Sequence, residues 1–209
     1  MYYKIVISSS DSHKFLGVTL DIKLKFNNHI NALSKRISKS VGIIYKLSPY
    51  LSSPTLLNIY YSLVHSYLMY CNTVWGGTYQ SHLQPLIVLQ KRCIRIVHGS
   101  TCQAHSLPLF MSSKVLILRN IHLYNLACYV YKKYHLFARN IPSNSYELRR
   151  NLLVVGFQRL NICQRSIYYA GIKIWNALPT PLKSIDKLHI FKKHLKLFIL
   201  ELQSLSLQS

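Results

Sequence analysis

Apolar residues recur at three- and four-residue steps over most of this sequence, which is the spacing of helices that bury one face. One such helix is predicted to be capped by Asn27 or Asn28 and ended by Pro49, with a core row formed by Ile30, Leu33, Ile37, Val41, Ile44 and Leu47. Further helices are expected at about 54–75, 83–97, 114–137 and 184–202. The second helix, over 54–75, is apolar nearly all round, which predicts the central helix of a bundle.

The first twenty residues show a different pattern, in which β-forming residues alternate. Tyr2–Ser9 and Phe15–Leu20 predict two strands, and the polar cluster SSSDSH between them predicts the turn. The predicted fold is therefore mostly α: a helical bundle preceded by a short N-terminal β-hairpin, with a small mixed segment at the C-terminus. We expect a hairpin over 1–26, a helical bundle over 27–137, a basic linker over 138–165, and a C-terminal segment over 166–209 that ends in an amphipathic helix.

The charge balance points to a polyanionic partner. The chain has 26 Lys and Arg but only five Asp and Glu, a formal net charge of +21. Nucleic acid is the usual partner of such a surface, and an anionic membrane face is the second candidate. The candidate phosphate-binding residues form four clusters: Lys35, Arg36 and Lys39; Lys91, Arg92 and Arg95; Arg149 and Arg150; and Lys192, Lys193 and Lys196. Any single member also fits an ordinary solvated face, and the last cluster also fits docking on a membrane surface or a partner helix.

The same composition argues against catalysis by this chain alone. Two-metal phosphoryl transfer and paired-carboxylate hydrolysis need converging acids, and five scattered carboxylates supply few. His98, Cys102 and His105 offer three metal ligands without an evident fourth, so neither a metal nor another cofactor is predicted. Trp75 and Trp175 follow apolar stretches, which favours core packing over base stacking. No segment predicts a membrane span, and we expect an intracellular protein, nuclear or cytoplasmic.

Beyond composition, the sequence resembles a known family. FLGVTLDIKLKFNNHI resembles the segment that follows the catalytic palm in reverse transcriptases of non-LTR (LINE-like) retrotransposons, particularly jockey- and CR1-like elements. The matching positions are Phe15, Leu16, Gly17, Val18, Leu20, Asp21, Leu24, His29 and Ile30, and Phe26 stands where the family usually has Trp.

The resemblance continues in order along the chain. Tyr60–Gly76 is similar to a family helix that ends in Y-x-x-x-VWG, and LQPLIVLQKRCIRIV matches a family segment at Leu86, Gln90, Arg92, Arg95 and Ile96. LPLF at Leu107–Phe110 and the segment around Trp175, Asn176, Leu178 and Pro179 resemble the far C-terminal signatures.

The resemblance implies that fingers and palm lie upstream, with the aspartate pair of a Y-x-D-D motif, whereas this sequence contains no DD. It implies that the hairpin is the last palm hairpin, which grips the primer, and that the helices are thumb and connection. We therefore expect a truncated C-terminal region of a reverse transcriptase that lacks the polymerase site and binds RNA, DNA or their hybrid without sequence specificity. The alternative is a non-catalytic helical module for protein interaction or oligomerisation, docking on a missing palm domain or on itself. An intact polymerase or nuclease would need carboxylates that the sequence does not supply.

Overall fold

The computed structural model of the chain describes residues 11–137 and 153–205. The predicted fold class is confirmed, because a two-stranded hairpin is followed by helices. The strands are β1 (Ser12–Phe15) and β2 (Val18–Asp21). The helices are α1 (Asn27–Leu47), α2 (Ser53–Tyr60), a π-helical segment (Tyr61–His65), α3 (Ser66–Met69), α4 (Asn72–Trp75), α5 (Gln80–Val97), α6 (Ser106–Ser112), α7 (Leu118–Lys132), α8 (Tyr134–Phe137), α9 (Asn161–Gln164), α10 (Ile167–Ala177), α11 (Thr180–Lys183) and α12 (Leu188–Leu205).

The hairpin is shifted along the chain from its predicted position. β1 and β2 pair antiparallel, with Phe15 opposite Val18, so the turn falls inside the predicted strand Phe15–Leu20. The two turn residues, Leu16 and Gly17, both have positive φ (45° and 81°), the combination of a two-residue type I′ turn. Glycine adopts this conformation without the Cβ penalty, which favours a turn at Leu16–Gly17. Ser12 and His13, which were predicted to lie in the turn, belong to β1. The predicted strand Tyr2–Ser9 lies outside the described residues.

The entry to α1 is organised by Asp21 rather than by an asparagine cap. The Asp21 carboxylate accepts the backbone N–H of Lys25 at 3.0 Å and of Phe26 at 2.7 Å. Phe26, with φ of 59°, is the residue that precedes the helix, and no side chain caps it. The prediction of Asn27 or Asn28 as the cap was therefore wrong, because Asp21 satisfies the backbone donors one turn earlier. The predicted core row of α1 is confirmed from Ile30 to Ile44.

The central helix is buried along one straight row and ends earlier than predicted. Its most buried residues are Leu56, Tyr60, Val64 and Leu68, at a constant four-residue step. On an α-helix this step drifts by about 40° each time, and the wider turn of the π-helical segment offsets the drift. The helix was expected to run to Gly76 but stops at Met69, since Cys71 takes a φ of 48° and α4 begins at Asn72.

Two buried glutamines organise the centre of the fold. Gln90 of α5 donates from Nε2 to the Tyr60 hydroxyl and to the Leu116 carbonyl, both at 3.0 Å, and accepts the Leu118 N–H at 2.9 Å. Gln203 of α12 donates to the Val115 carbonyl at 3.2 Å and accepts the Ile117 N–H at 3.1 Å. These bonds hold an extended stretch where the sequence predicted a helix from residue 114, so α7 begins only at Leu118. The segment HGSTCQAHSLP, from His98 to Pro108, predicts a loop, but α6 begins within it at Ser106.

The C-terminal part packs on α7 through aromatic side chains. Trp175 of α10 lies 6.4 Å from Tyr131, 5.6 Å from Tyr134 and 6.1 Å from Phe191, measured between ring centroids. The prediction that Trp75 and Trp175 are buried is confirmed. For α12 the apolar spacing predicts a core row of Leu188, Phe191, Leu195, Phe198 and Leu202. Phe191 and Leu195 are buried as predicted, but Leu202 is exposed, because Ile199 and Gln203 turn inward instead.

The end of the predicted linker 138–165 is packed against α10. Residues 138–152 lie outside the described part, but Leu153 is buried. Its N–H donates to the Asn176 side chain at 2.9 Å, and its carbonyl accepts from the same amide at 2.8 Å. One asparagine side chain thus pairs with the backbone as a neighbouring strand would.

We expect Gln90→Leu to destabilise the fold, because it leaves the Leu116 carbonyl and the Leu118 N–H buried without partners. The expected loss is about 3 kcal/mol or more in the free energy of unfolding, measured by urea denaturation. Gln84→Leu, at an exposed position of the same helix, is the control and should change stability little. Equal losses in the two variants would contradict the assigned role of Gln90.

We also expect stability to fall as the pH drops from 7 to 5. Burial, and next the charge of Lys196, lowers the pKa of His65 from its ordinary 6.5 to about 4. The unfolded chain therefore takes up a proton near pH 6.5 that the folded chain does not accept until about pH 4. His65→Leu should show a smaller decrease in urea midpoint over this range, and an unchanged decrease would show that His65 is not responsible.

Candidate nucleic-acid interface

A groove runs between α1 and α5, which lie side by side and point the same way. At its start, Thr78 and His82 bond to the Lys25 carbonyl at 2.8 and 3.2 Å. One turn or more along, the groove is lined by Ser34, Lys35 and Ser38 from α1 and by Ser81, Gln84, Pro85, Val88 and Leu89 from α5. The groove is shallow and open to solvent, and most of its surface is apolar.

Cations from two predicted clusters border this groove. Lys35 lines it directly, and Lys39 follows one helical turn later. On α5, Lys91 and Arg92 follow Val88 by three and four residues, about one helical turn. All four cationic side chains are exposed. The fold therefore brings together cations that the sequence separates by more than fifty positions.

Arg36 faces a second groove, between α1, α3 and the hairpin turn. This open pocket, of about 550 Å³, is lined by Arg36, His29, Tyr67, Tyr70 and the turn residues Leu16 and Gly17. The Tyr70 hydroxyl donates to the Leu16 carbonyl at 2.6 Å, which ties the turn to the helix. Burial, and next the charge of Arg36, lowers the pKa of His29. The adjacent residues Lys35 and Arg36 of α1 thus line two different grooves, and the groove lined by Arg36 also contains the exposed rings of Tyr67 and Tyr70.

Arg95, which the sequence groups with Lys91 and Arg92, occupies a different environment. Its side chain is half-buried, and its Nε donates to the Ala104 carbonyl at 2.8 Å. This bond fastens the loop between α5 and α6. The structure therefore gives Arg95 a packing role that the sequence did not predict.

The terminal cluster is also divided. Lys193 is exposed, whereas Lys192 and Lys196 are half-buried on α12, which packs on α6, α7 and α11. Burial, and next the charge of Lys114, lowers the pKa of Lys196. Lys192 lines a pocket with Lys132, separate from the α1–α5 groove. Arg149 and Arg150 lie outside the described residues.

The carboxylates occupy separate places in the fold. Asp21 braces the turn before α1, while Asp186 lines a pocket with Tyr131, Trp175 and Lys183. Over residues 11–137 and 153–205, no three His, Cys, Asp or Glu side chains group so that they could hold a metal ion. Within the same ranges, no helix is both long enough and apolar enough to cross a membrane.

Several motif residues prove to hold this region together. Gly17 makes the hairpin turn, Asp21 braces the entry to α1, and His29 accepts the Thr19 N–H at 3.5 Å. Trp75 donates to the Tyr70 carbonyl at 2.9 Å. The motif spacing in the sequence marked these residues as important but did not reveal their hydrogen-bond partners. Each of these bonds joins two separate elements or closes a turn, and that geometry is set only when the chain folds.

Comparisons with known proteins agree with the resemblance inferred from the motifs. Over 98 residues, 46% of this chain, the sequence is 32% identical to the RNA-directed DNA polymerase from mobile element jockey of Drosophila melanogaster. It is 31% identical over 99 residues to the jockey polymerase of Drosophila funebris, and 26% identical over 99 residues to the probable RNA-directed DNA polymerase from transposon X-element of Drosophila melanogaster. The match spans 11% of the length of each relative. No family model matches the chain, and neither does any solved structure.

Proposed function

We propose that this chain, which contains a region like the reverse transcriptases of non-LTR retrotransposons, binds an RNA–DNA template–primer duplex through its phosphate backbones and without sequence specificity. The observation that carries the proposal is the α1–α5 groove, which Lys35 lines, with Lys39, Lys91 and Arg92 exposed on the same two helices within about one turn of the lining residues. Five acidic residues cannot neutralise 26 basic ones, so these cations depend on an external anion or on counter-ions.

The neighbouring hairpin pocket extends the proposed surface. Arg36 supplies a cation, and Tyr67 and Tyr70 are exposed aromatic rings beside it. Rings of this kind stack on nucleobases, and Arg contacts phosphate and sugar. A nucleic-acid strand whose phosphates run along α1 would then meet the hairpin turn at its end. This agrees with the primer contact that the family resemblance implies.

The proposal also holds that the chain alone makes no DNA. Metal-dependent polymerisation requires carboxylates that share a metal. Asp21 is engaged with two backbone amides, and Asp186 lies in another pocket. Metal-dependent primer extension by this chain alone would overturn this part of the proposal.

We expect hybrid binding to weaken steeply with salt, and two groove substitutions to reduce that dependence. Each phosphate contact contributes about 0.9 to the slope of log affinity against log salt for a duplex. Lys35→Gln with Arg92→Gln should therefore reduce the slope by about two. The measurement is filter binding of an RNA–DNA hybrid across a salt series.

The matched control is Lys133→Gln with Lys173→Gln, which removes the same charge from exposed positions on other elements. This variant should lose some affinity but keep the wild-type slope. A flat salt response of the wild-type chain, or equal slope changes in the two variants, would contradict binding in the groove.

A second candidate, protein docking, is supported by the hairpin. The central helix buries Leu56, Tyr60, Val64 and Leu68 within the chain, so it offers no such surface. Three exposed apolar side chains lie close together in sequence on and just after the hairpin, at Phe15 (61% exposed), Leu16 (72%) and Ile22 (71%). Such a cluster fits a neighbouring protein domain, such as the palm of a polymerase, or a second copy.

We expect Phe15→Ser with Ile22→Ser to abolish co-elution with the polymerase portion of a jockey relative in size-exclusion chromatography. Tyr50→Ser, at an exposed position remote from the hairpin, should leave co-elution unchanged. Unchanged co-elution of the hairpin variant would exclude this surface, and concentration-dependent dimers of the wild-type chain would instead assign it to self-association.

A further inference from the structure

We propose that a pocket between α4, α7 and α12 binds a single phosphate group, at a site distinct from the α1–α5 groove. The pocket has a volume of about 320 Å³. Its polar lining includes Asn72 and Thr73 of α4, Tyr124, Asn125 and Lys132 of α7, and Lys192 of α12. The site deepens the proposed nucleic-acid binding if the phosphate belongs to a nucleic acid, and the pocket geometry itself does not depend on that function.

Two lysines from separate helices converge on this pocket. Lys132 is exposed and Lys192 is half-buried, and both act on the Cys128 thiol, which lies in the same wall. Burial raises the pKa of Cys128, whereas a hydrogen bond from Tyr124 and the charges of Lys192 and Lys132 lower it. No Asp or Glu is among the residues that line the pocket. Two cations therefore face one cavity without a lining carboxylate between them.

The combination selects an oxyanion. The two ammonium groups and the Asn125 amide are donors, and Thr73 contributes a hydroxyl that donates or accepts. A phosphate group presents several strong acceptors and negative charge in a small volume, so it matches these groups better than a neutral ligand does.

The first experiment uses inorganic phosphate as the probe. Thermal unfolding is followed against phosphate concentration, with chloride replacing phosphate at constant ionic strength. The wild-type chain should gain stability with phosphate, as expected for a ligand that binds only the folded state. Lys132→Gln with Lys192→Gln should weaken the apparent phosphate affinity by at least about tenfold.

The control is Lys133→Gln with Lys193→Gln, which changes the charge equally at the next residue along the chain in each case. Both controls are exposed and neither lines the pocket, so phosphate affinity should stay within about twofold of wild type. Absence of phosphate stabilisation in the wild-type chain, or equal loss in both double variants, would overturn the site.

The second experiment separates nucleic acid from a free phosphate or phosphate ester as the source. If the group belongs to nucleic acid, Lys132→Gln with Lys192→Gln also reduces the salt slope for a short RNA by about one. An unchanged slope together with specific phosphate stabilisation assigns the pocket to a free phosphate compound. Loss of hybrid binding through the α1–α5 groove would not affect phosphate stabilisation, so the two proposals fail independently.

Discussion

The fold depends on how two glutamine side chains satisfy a buried stretch of backbone that belongs to no helix. Val115 and Leu116 lie in the core and Ile117 packs against it, where unpaired peptide groups are costly. Gln90 precedes this stretch in the sequence and Gln203 follows it, and each both donates and accepts. Because α7 starts directly after this stretch, the two amides set where α7 lies between α5 and α12. The aromatic packing around Trp175 follows from that placement.

The hairpin is joined to this bundle by separate polar contacts. Asp21 fixes the turn into α1, His29 accepts an N–H of β2, and the Tyr70 hydroxyl holds the hairpin turn. A two-stranded hairpin is marginally stable by itself, so these contacts give it a defined position. The hairpin turn and the basic face of α1 are consequently held next to each other. Contact with one continuous nucleic-acid strand would require this arrangement.

Sequence periodicity was enough to predict α1 and most of α5, because in each a single apolar row faces the core. It failed where a side chain distant in sequence replaces a helical bond, as at Val115–Ile117, or where a polar residue acts earlier than expected, as Asp21 does before Asn27. Charge clusters were equally incomplete. Periodicity places Lys35, Lys39, Lys91 and Arg92 on exposed faces, but only packing shows that α1 and α5 lie side by side with Lys35 in the groove between them. Packing also shows that Arg95 bonds to Ala104 and that Lys132 and Lys192 line one pocket.

The excess of basic residues links these sites energetically. In a chain of net charge +21, each exposed cation is repelled by the others, and each contributes little alone to stability or binding. Along the α1–α5 groove the cations are exposed, so their attraction to phosphates is additive, long-ranged and sensitive to salt. The α4–α7–α12 pocket differs because Lys192 is half-buried. Salt screens a partly buried charge less than an exposed one. A polyanion that filled both would relieve repulsion throughout the bundle, so binding at either site should stabilise the fold that forms the other.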